Sequence, residues 1–296
     1  MSSNNSTEEF QLYHYEPNQS LSLACAALFG ISTIIHLVIM IRKKTWFYSA
    51  LLVGAFMMTI GYIVRYMSAR SPHNTGIYAI QFLLIMLAPS LYAATMYMLF
   101  GRLVIFVNNP SASIIRPQWV TKIFVTGDVI SFVVQMAGGG MMSSDNLASI
   151  GQTIMMIGLA SQLAFFGFFL VIAITFRARM LKQYPGAIPS ARGKESWYGL
   201  LALLLLGAGL VIFRCIFRLF EFGLGRDGEL QTREVYVYVF DTLPMFFVQV
   251  LFHFKHAGNV FGTQLVEDSV MMGAVDPSDS ENQKGHRNQD SLSPLM

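Results

Sequence analysis

The chain has 296 residues, of which 54% are apolar and 12% charged. A soluble domain carries about 25% charged residues, so this composition excludes a soluble globular protein and points to an all-α, polytopic membrane protein. The formal net charge of +3 gives no reason to expect a nucleic-acid partner; what matters is which loops hold the cations.

In chain order, residues 1–19 are polar and lack the charged-then-apolar pattern of a signal peptide. They are expected to form an extracellular N-terminal segment, with the first apolar stretch serving as both targeting signal and anchor. Asn4-Asn5-Ser6 and Asn5-Ser6-Thr7 are glycosylation sequons on that segment. A bilayer core of about 30 Å needs about 20 helical residues. Seven segments meet that length, near Leu21–Ile41, Trp46–Met67, Tyr78–Phe100, Val120–Gly140, Gly151–Phe176, Trp197–Phe222 and Glu234–Phe254. Together they define a seven-helix transmembrane domain over residues 20–262. Cys25 and Cys215 both fall inside apolar segments, so no structural disulfide is expected. Residues 263–296 are polar, mildly acidic and serine-containing, the composition of a disordered tail.

Lysine and arginine divide unevenly between alternate loops. One side holds Arg42, Lys43, Lys44, Arg102, Arg116, Lys122, Arg177, Arg179, Lys182, Arg192, Lys194 and Lys255; the other holds Arg65, Arg70, Arg226 and Arg233. The positive-inside rule puts the N-terminus outside and the C-terminus in the cytosol.

Polar side chains punctuate the spans. They include His36 in helix 1, Arg65 in helix 2, Gln81 and Pro89 in helix 3, Asp128 and Gln135 in helix 4, and Gln162 in helix 5. Helix 6 carries Arg214, Arg218 and Glu221, and helix 7 carries Glu234, Asp241 and Pro244. Arg214, Arg218 and Glu221 are spaced i, i+4, i+7, so they share one face, and that face looks into the bundle rather than at lipid. At about 1.5 Å per residue, Arg214 and Asp241 both lie roughly 10 Å below the outer ends of their helices. They are therefore expected at one level, opposite in sign, with most of the intramembrane polarity in the outer half. Arg218 and Glu221 can satisfy each other, and Arg214 can pair with Asp241, so a purely structural ion network competes with a ligand site. Arg65 lies close enough to the interface for its tip to reach water. Pro89 and Pro244 read as kinks, and Gly138–Gly140 as the end of helix 4 or a point of close helix approach.

The ordered set "NQSLSLACAALFGISTIIHL", "GYIVRYMS", "LLIMLAPSLYAATMYMLFGRLV", "GDVISFVVQMAGGG", "GQTIMMIGLASQ", "FRCIFRLFEFGLGRDGEL" and "EVYVYVFDTLPM" resembles the fungal lipid-translocating exporter family. That family includes aminocholesterol-resistance and sphingoid long-chain-base-resistance proteins, and the likeness covers about residues 15–262. The resemblance implies a multi-pass protein of the fungal plasma membrane, or of an endomembrane, that moves or resists amphipathic lipids; porphyrin or haem is the alternative substrate. It marks Gly61, Tyr62, Arg65, Pro89, Asp128, Gln135, Gly138, Gln162, Arg214, Arg218, Glu221, Glu234 and Asp241 as motif positions. Two departures stand out: Met58 replaces a glutamate common in the family, which removes the nearest expected partner of Arg65, and His256-Ala257-Gly258 replaces His-Pro-Gly.

The leading expectation is a non-enzymatic transporter that binds amphipathic lipids or related small molecules in an outer-half polar cavity, with no cofactor or metal. Arg214, Arg218 and Arg65 would hold an anionic group, while Asp128, Asp241 and Glu221 would hold an ammonium; Gln81, Gln135, Gln162 and Glu234 complete the candidate site. No G-x-x-x-x-G-K-[ST] phosphate loop is present, so direct driving by ATP has no support. A seven-helix receptor or sensor, with cytosolic partners on the third inner loop and the tail, is the alternative. An intramembrane zinc hydrolase built on His36, His253 and His256 ranks below both, because three-ligand geometry is demanding.

Overall fold

The computed structural model describes residues 17–71, 74–107, 112–142, 145–183, 197–224, 228–254, 257–258 and 260. The sequons, most of the N-terminal segment, the third inner loop, His256 and the tail lie outside the described residues. Seven helices long and apolar enough to cross a membrane make up the fold. They are α1 (Gln19–Lys43), α2 (Ser49–Arg70, entered through a 3-10 turn at Trp46–Tyr48), α3 (Thr75–Phe106), α4 (Pro117–Met141), α5 (Ala148–Gln183), α6 (Trp197–Gly223) and α7 (Glu234–Phe254). A single helical turn, Glu229–Thr232, precedes α7.

Local signals set the helix ends. The Asn18 side chain accepts from Leu21 N at 3.1 Å to start α1, and Asn74 does the same for Ile77 at 3.2 Å to start α3. Pro117 opens α4, where its missing N–H costs nothing. Lys44 closes α1 in a left-handed conformation, φ 50°.

The helices pack in chain order, α1 on α2 through α6 on α7, and α7 returns to α1; α3 runs through the middle and touches α2, α4, α5, α6 and α7. Contacts fix two ends of the bundle. Asn18, Arg65 and Glu234 meet at the end carrying the N-terminus. At the opposite end, Arg102 stacks over Phe47, Arg177 over Tyr198, and Tyr48 holds the backbone of Ala257. Most of the described loop cations therefore gather at the end opposite the N-terminus, while Arg70 and Arg233 flank the helix ends on the N-terminal side. Outward faces are apolar: Ile31, Ile34, Ile35 and Val38 form an exposed helical stripe on α1, as a surface solvated by lipid requires.

Helices α1 to α6 run past their predicted limits at one end or both, α3 and α5 by the most, and α7 matches its own. Gly138–Gly140 lie in the last turn of α4, which ends at Met141. Gly138 also lets α4 and α5 touch: a Cβ there would lie 2.5 Å from Met155 N and 2.7 Å from Gly151 O. Gly158 repeats this one level deeper, where a Cβ would meet Gln135 Cγ at 2.6 Å. Pro89 sits inside an unbroken α3. Pro244 has a larger effect, because α7 passes through a π turn at Tyr238–Thr242, with Leu243 N–H bonded to Tyr238 O. Proline has no N–H to give and its ring crowds the carbonyl four residues back. The wider turn accommodates both, and Thr242 Oγ1 donates to Val237 O at 3.2 Å across it.

Candidate functional site

On α6, the i, i+4, i+7 face carries Arg214, Arg218 and Glu221 into the bundle, each at most 6% exposed. The π turn of α7 presents Asp241, fully buried, to the same place. Arg214 pairs with Asp241 Oδ1 and Arg218 with Asp241 Oδ2, while Arg218 Nη1 also meets Glu221 Oε2 at 2.8 Å. Arg214 Nη2 reaches Met86 Sδ on α3 at 3.6 Å. The result is a cluster of two cations and two anions with no net charge. Each group has a counter-ion, which satisfies the requirement for charge inside a membrane. Both pairings expected from spacing and depth are present, and Asp241 bridges two arginines rather than one.

A second ionic group closes the N-terminal end. Arg65 Nη2 pairs with Glu234 Oε1 at 2.9 Å, and Arg65 Nε donates to Tyr238 Oη at 3.2 Å. Tyr238 Oη shares a 3.0 Å hydrogen bond with Ser22, and Glu234 Oε2 accepts from Asn18 N at 2.7 Å. Two expectations are corrected here. Arg65 does not reach out to water; it is 6% exposed, enclosed by α1 and α7. Nor does Met58 leave it alone, since Glu234 supplies the carboxylate from across the bundle.

The remaining candidates stand in separate groups. Gln135 Nε2 donates to Gln162 Oε1 at 2.8 Å, and Gln162 Nε2 to Ser90 Oγ at 3.2 Å, linking α4, α5 and α3. Asp128 accepts from Tyr97 Oη at 2.8 Å, apart from the arginines. Gln81 is buried on α3.

A network missed in the sequence occupies the other half. Gln249 on α7 accepts from Tyr92 Oη at 2.8 Å and donates to Phe29 O and Thr33 Oγ1, both at 3.4 Å. Its own carbonyl oxygen meets His36 Nε2 at 2.8 Å. His36 stacks on His253 with ring centroids 3.9 Å apart, and His253 Nε2 meets Ser32 Oγ at 2.8 Å. Polarity therefore extends through both halves of the bundle. The readable signal was Gln249, alone inside "PMFFVQVLF". Among the described residues, no three His, Cys, Asp or Glu side chains are grouped to hold a metal ion.

The chain matches the family described as RTA1 like protein over residues 51–264. It is 31% identical to Protein RTM1 of Saccharomyces cerevisiae, covering 89% of this chain and 97% of that one. It is 32% identical to Protoporphyrin uptake protein 1 of the same yeast, covering 85% and 94%. It is 24% identical to Sphingoid long-chain base transporter RSB1, also from Saccharomyces cerevisiae, covering 88% and 77%. No solved structure matches it.

Proposed function

The chain belongs to the RTA1-like family, and from that premise we propose that it is a carrier of amphipathic molecules whose polar heads are received at the Arg214–Asp241–Arg218–Glu221 cluster. The observation that carries this reading is the burial of four charges between α6 and α7. Stability alone gives little reason to keep them, since replacing a buried ion network with well-packed apolar residues is often neutral or stabilising. A balanced cluster also suits a head of either sign. An ammonium replaces an arginine beside Asp241 or Glu221; an anionic head replaces a carboxylate beside Arg214 and Arg218. The apolar tail stays among the phenylalanine and methionine side chains lining the helices.

The relatives named for a sphingoid base and for protoporphyrin supply the two probes. By the positive-inside rule we read the cation-rich end as cytosolic and the N-terminal end as outside, with the plasma membrane as the proposed location. The reading is tested with the purified protein in nanodiscs, titrated with radiolabelled sphinganine and separately with protoporphyrin. The paired change Arg214→Gln with Asp241→Asn removes both charges while keeping a polar side chain at each position. Binding of sphinganine weakens about 10- to 100-fold in the paired variant, the worth of a charge-assisted hydrogen bond of about 1.5–3 kcal/mol. Equal affinity in wild type and paired variant for both probes contradicts the site.

A further inference from the structure

Asp128 stands out among the buried carboxylates. The buried Glu221 and Asp241 and the part-buried Glu234 each form an ion pair with an arginine. Asp128 is 3% exposed and forms none among the described residues; its Oδ2 accepts from Tyr97, and its Oδ1 is buried without a hydrogen-bond partner there. It lies about 17 Å from one end of α4 and about 20 Å from the other, counting roughly 1.5 Å per residue, and so falls near the middle of the span.

Every element around it is accounted for. From α3, Tyr97 donates the one hydrogen bond, and its ring packs against Phe124, Phe166 and Phe169 with centroids 4.7–5.7 Å away. From α5 come phenylalanines; that helix carries no titratable side chain before Arg177. The Phe165 ring lies against Gly127, so close that a Cβ there would be 2.8 Å from it. From α6, the Cys215 thiol is near enough to interact electrostatically, while the neighbouring Arg214 is committed to Asp241. A bare carboxylate in such surroundings is untenable, and a group of this kind neutralises instead. A calcium or magnesium ion does not serve, because it takes six or more oxygen ligands and, among the described residues, this carboxyl's one hydrogen-bond partner is the Tyr97 phenol.

We propose that Asp128 is a proton-binding site in the middle of the membrane and that its loading and unloading couples a pH gradient to the carrier. The proton sits on the carboxyl while the bundle is closed around it, and passes to water when substrate movement opens the site. The coupling half of this inference rests on the carrier reading above. A row of side chains leads from Asp128 towards the N-terminal end. Ser131 and Gln135 share its face at i+3 and i+7, both at most 3% exposed, and Gln135 continues to Gln162 and Ser90.

Infrared spectroscopy of the wild-type protein in lipid at neutral pH tests the site without any substrate. A carbonyl stretch of a protonated carboxylic acid is expected in wild type and absent in Asp128→Asn. It shifts in frequency in Tyr97→Phe, which removes the hydrogen bond to that carboxyl. Spectra of wild type and Asp128→Asn that are the same in this region overturn the proposal. Coupling is read in proteoliposomes: an imposed pH gradient drives labelled sphinganine accumulation in wild type, whereas Asp128→Asn exchanges sphinganine but ignores the gradient. A gradient response retained in Asp128→Asn overturns the coupling role. The band without sphinganine movement upholds the proton site and removes the carrier reading, so the two failures are distinguishable.

Discussion

Arg214 on α6 and Asp241 on α7 form an ion pair whose side chains are 1% and 0% exposed. Arg218, one turn further along α6, takes the other oxygen of the same carboxylate, so Asp241 holds two cations at once. That arrangement depends on the π turn of α7. The turn places an extra residue between Val237 and Leu243, and the two halves of the helix are out of α-helical register with each other. Turns of this kind recur at functional sites.

The first prediction follows from the sharing. Asp241→Asn leaves two buried arginines with only Glu221 between them, whereas Glu221→Gln leaves Arg218 still paired with Asp241. Removing one partner of a buried pair costs about 3–5 kcal/mol. Thermal unfolding in detergent will therefore show a larger loss for Asp241→Asn than for Glu221→Gln. The paired change Arg214→Gln with Asp241→Asn will recover part of that loss.

Asp128→Asn is expected to behave in the opposite way. Among the described residues its carboxyl forms no ion pair, and Asn reproduces the shape of a neutral acid while still accepting from Tyr97. The unfolding midpoint of Asp128→Asn will match wild type, in contrast to Asp241→Asn. A loss as large as that of Asp241→Asn would mean that Asp128 carries a compensated charge.

Much of the fold was legible because a bilayer demands long apolar runs. The seven spans and the inward α6 face follow from length and helical spacing, and the Arg214–Asp241 level follows from counting residues. The Arg65–Glu234 pair was not legible, because 169 residues separate its members and each alone reads as an interfacial charge. The histidine pair was hidden for a related reason. His253 lies one residue before the end of α7, which suggested a solvated edge, yet the half-buried ring stacks on His36 and bonds Ser32 of α1. Tyr97 and Tyr92 merged with the aromatic background, because nothing in a tyrosine's position announces where its hydroxyl ends. Pro244 signalled an irregularity, but the sequence did not say that it takes the form of a π turn that presents Asp241 to two arginines.

The N-terminal end gives a third prediction. Glu234 receives the Arg65 guanidinium and the Asn18 backbone N–H on separate oxygens. Glu234→Gln weakens both, at about 1.5–3 kcal/mol for the charged hydrogen bonds. Amide hydrogen exchange will rise selectively in the first turns of α1 and at the start of α7, and the end around Tyr48 and Ala257 will be unchanged.

The α4–α5 seam gives a fourth. A Cβ at Gly138 meets backbone atoms at 2.5 and 2.7 Å, while one at Gly140 meets nothing within 4 Å. Gly138→Ala must separate two helices, and overpacking of this kind costs about 1–3 kcal/mol. Gly140→Ala is neutral or gains up to about 1 kcal/mol from helix propensity. Unfolding midpoints of the two variants, measured side by side, check both signs.

The central claim, that an amphiphile's head is received at the α6–α7 cluster, is tested most directly by photo-cross-linking. A sphinganine analogue with a photoactivatable group beside its amine is bound to the wild-type protein in nanodiscs, irradiated, and the labelled peptides are mapped by mass spectrometry. Label is expected on residues 214–221 and 234–245, displaced by unlabelled sphinganine. Label confined to the lipid-facing stripe of α1, around Ile31 and Ile34, and insensitive to competitor would contradict it.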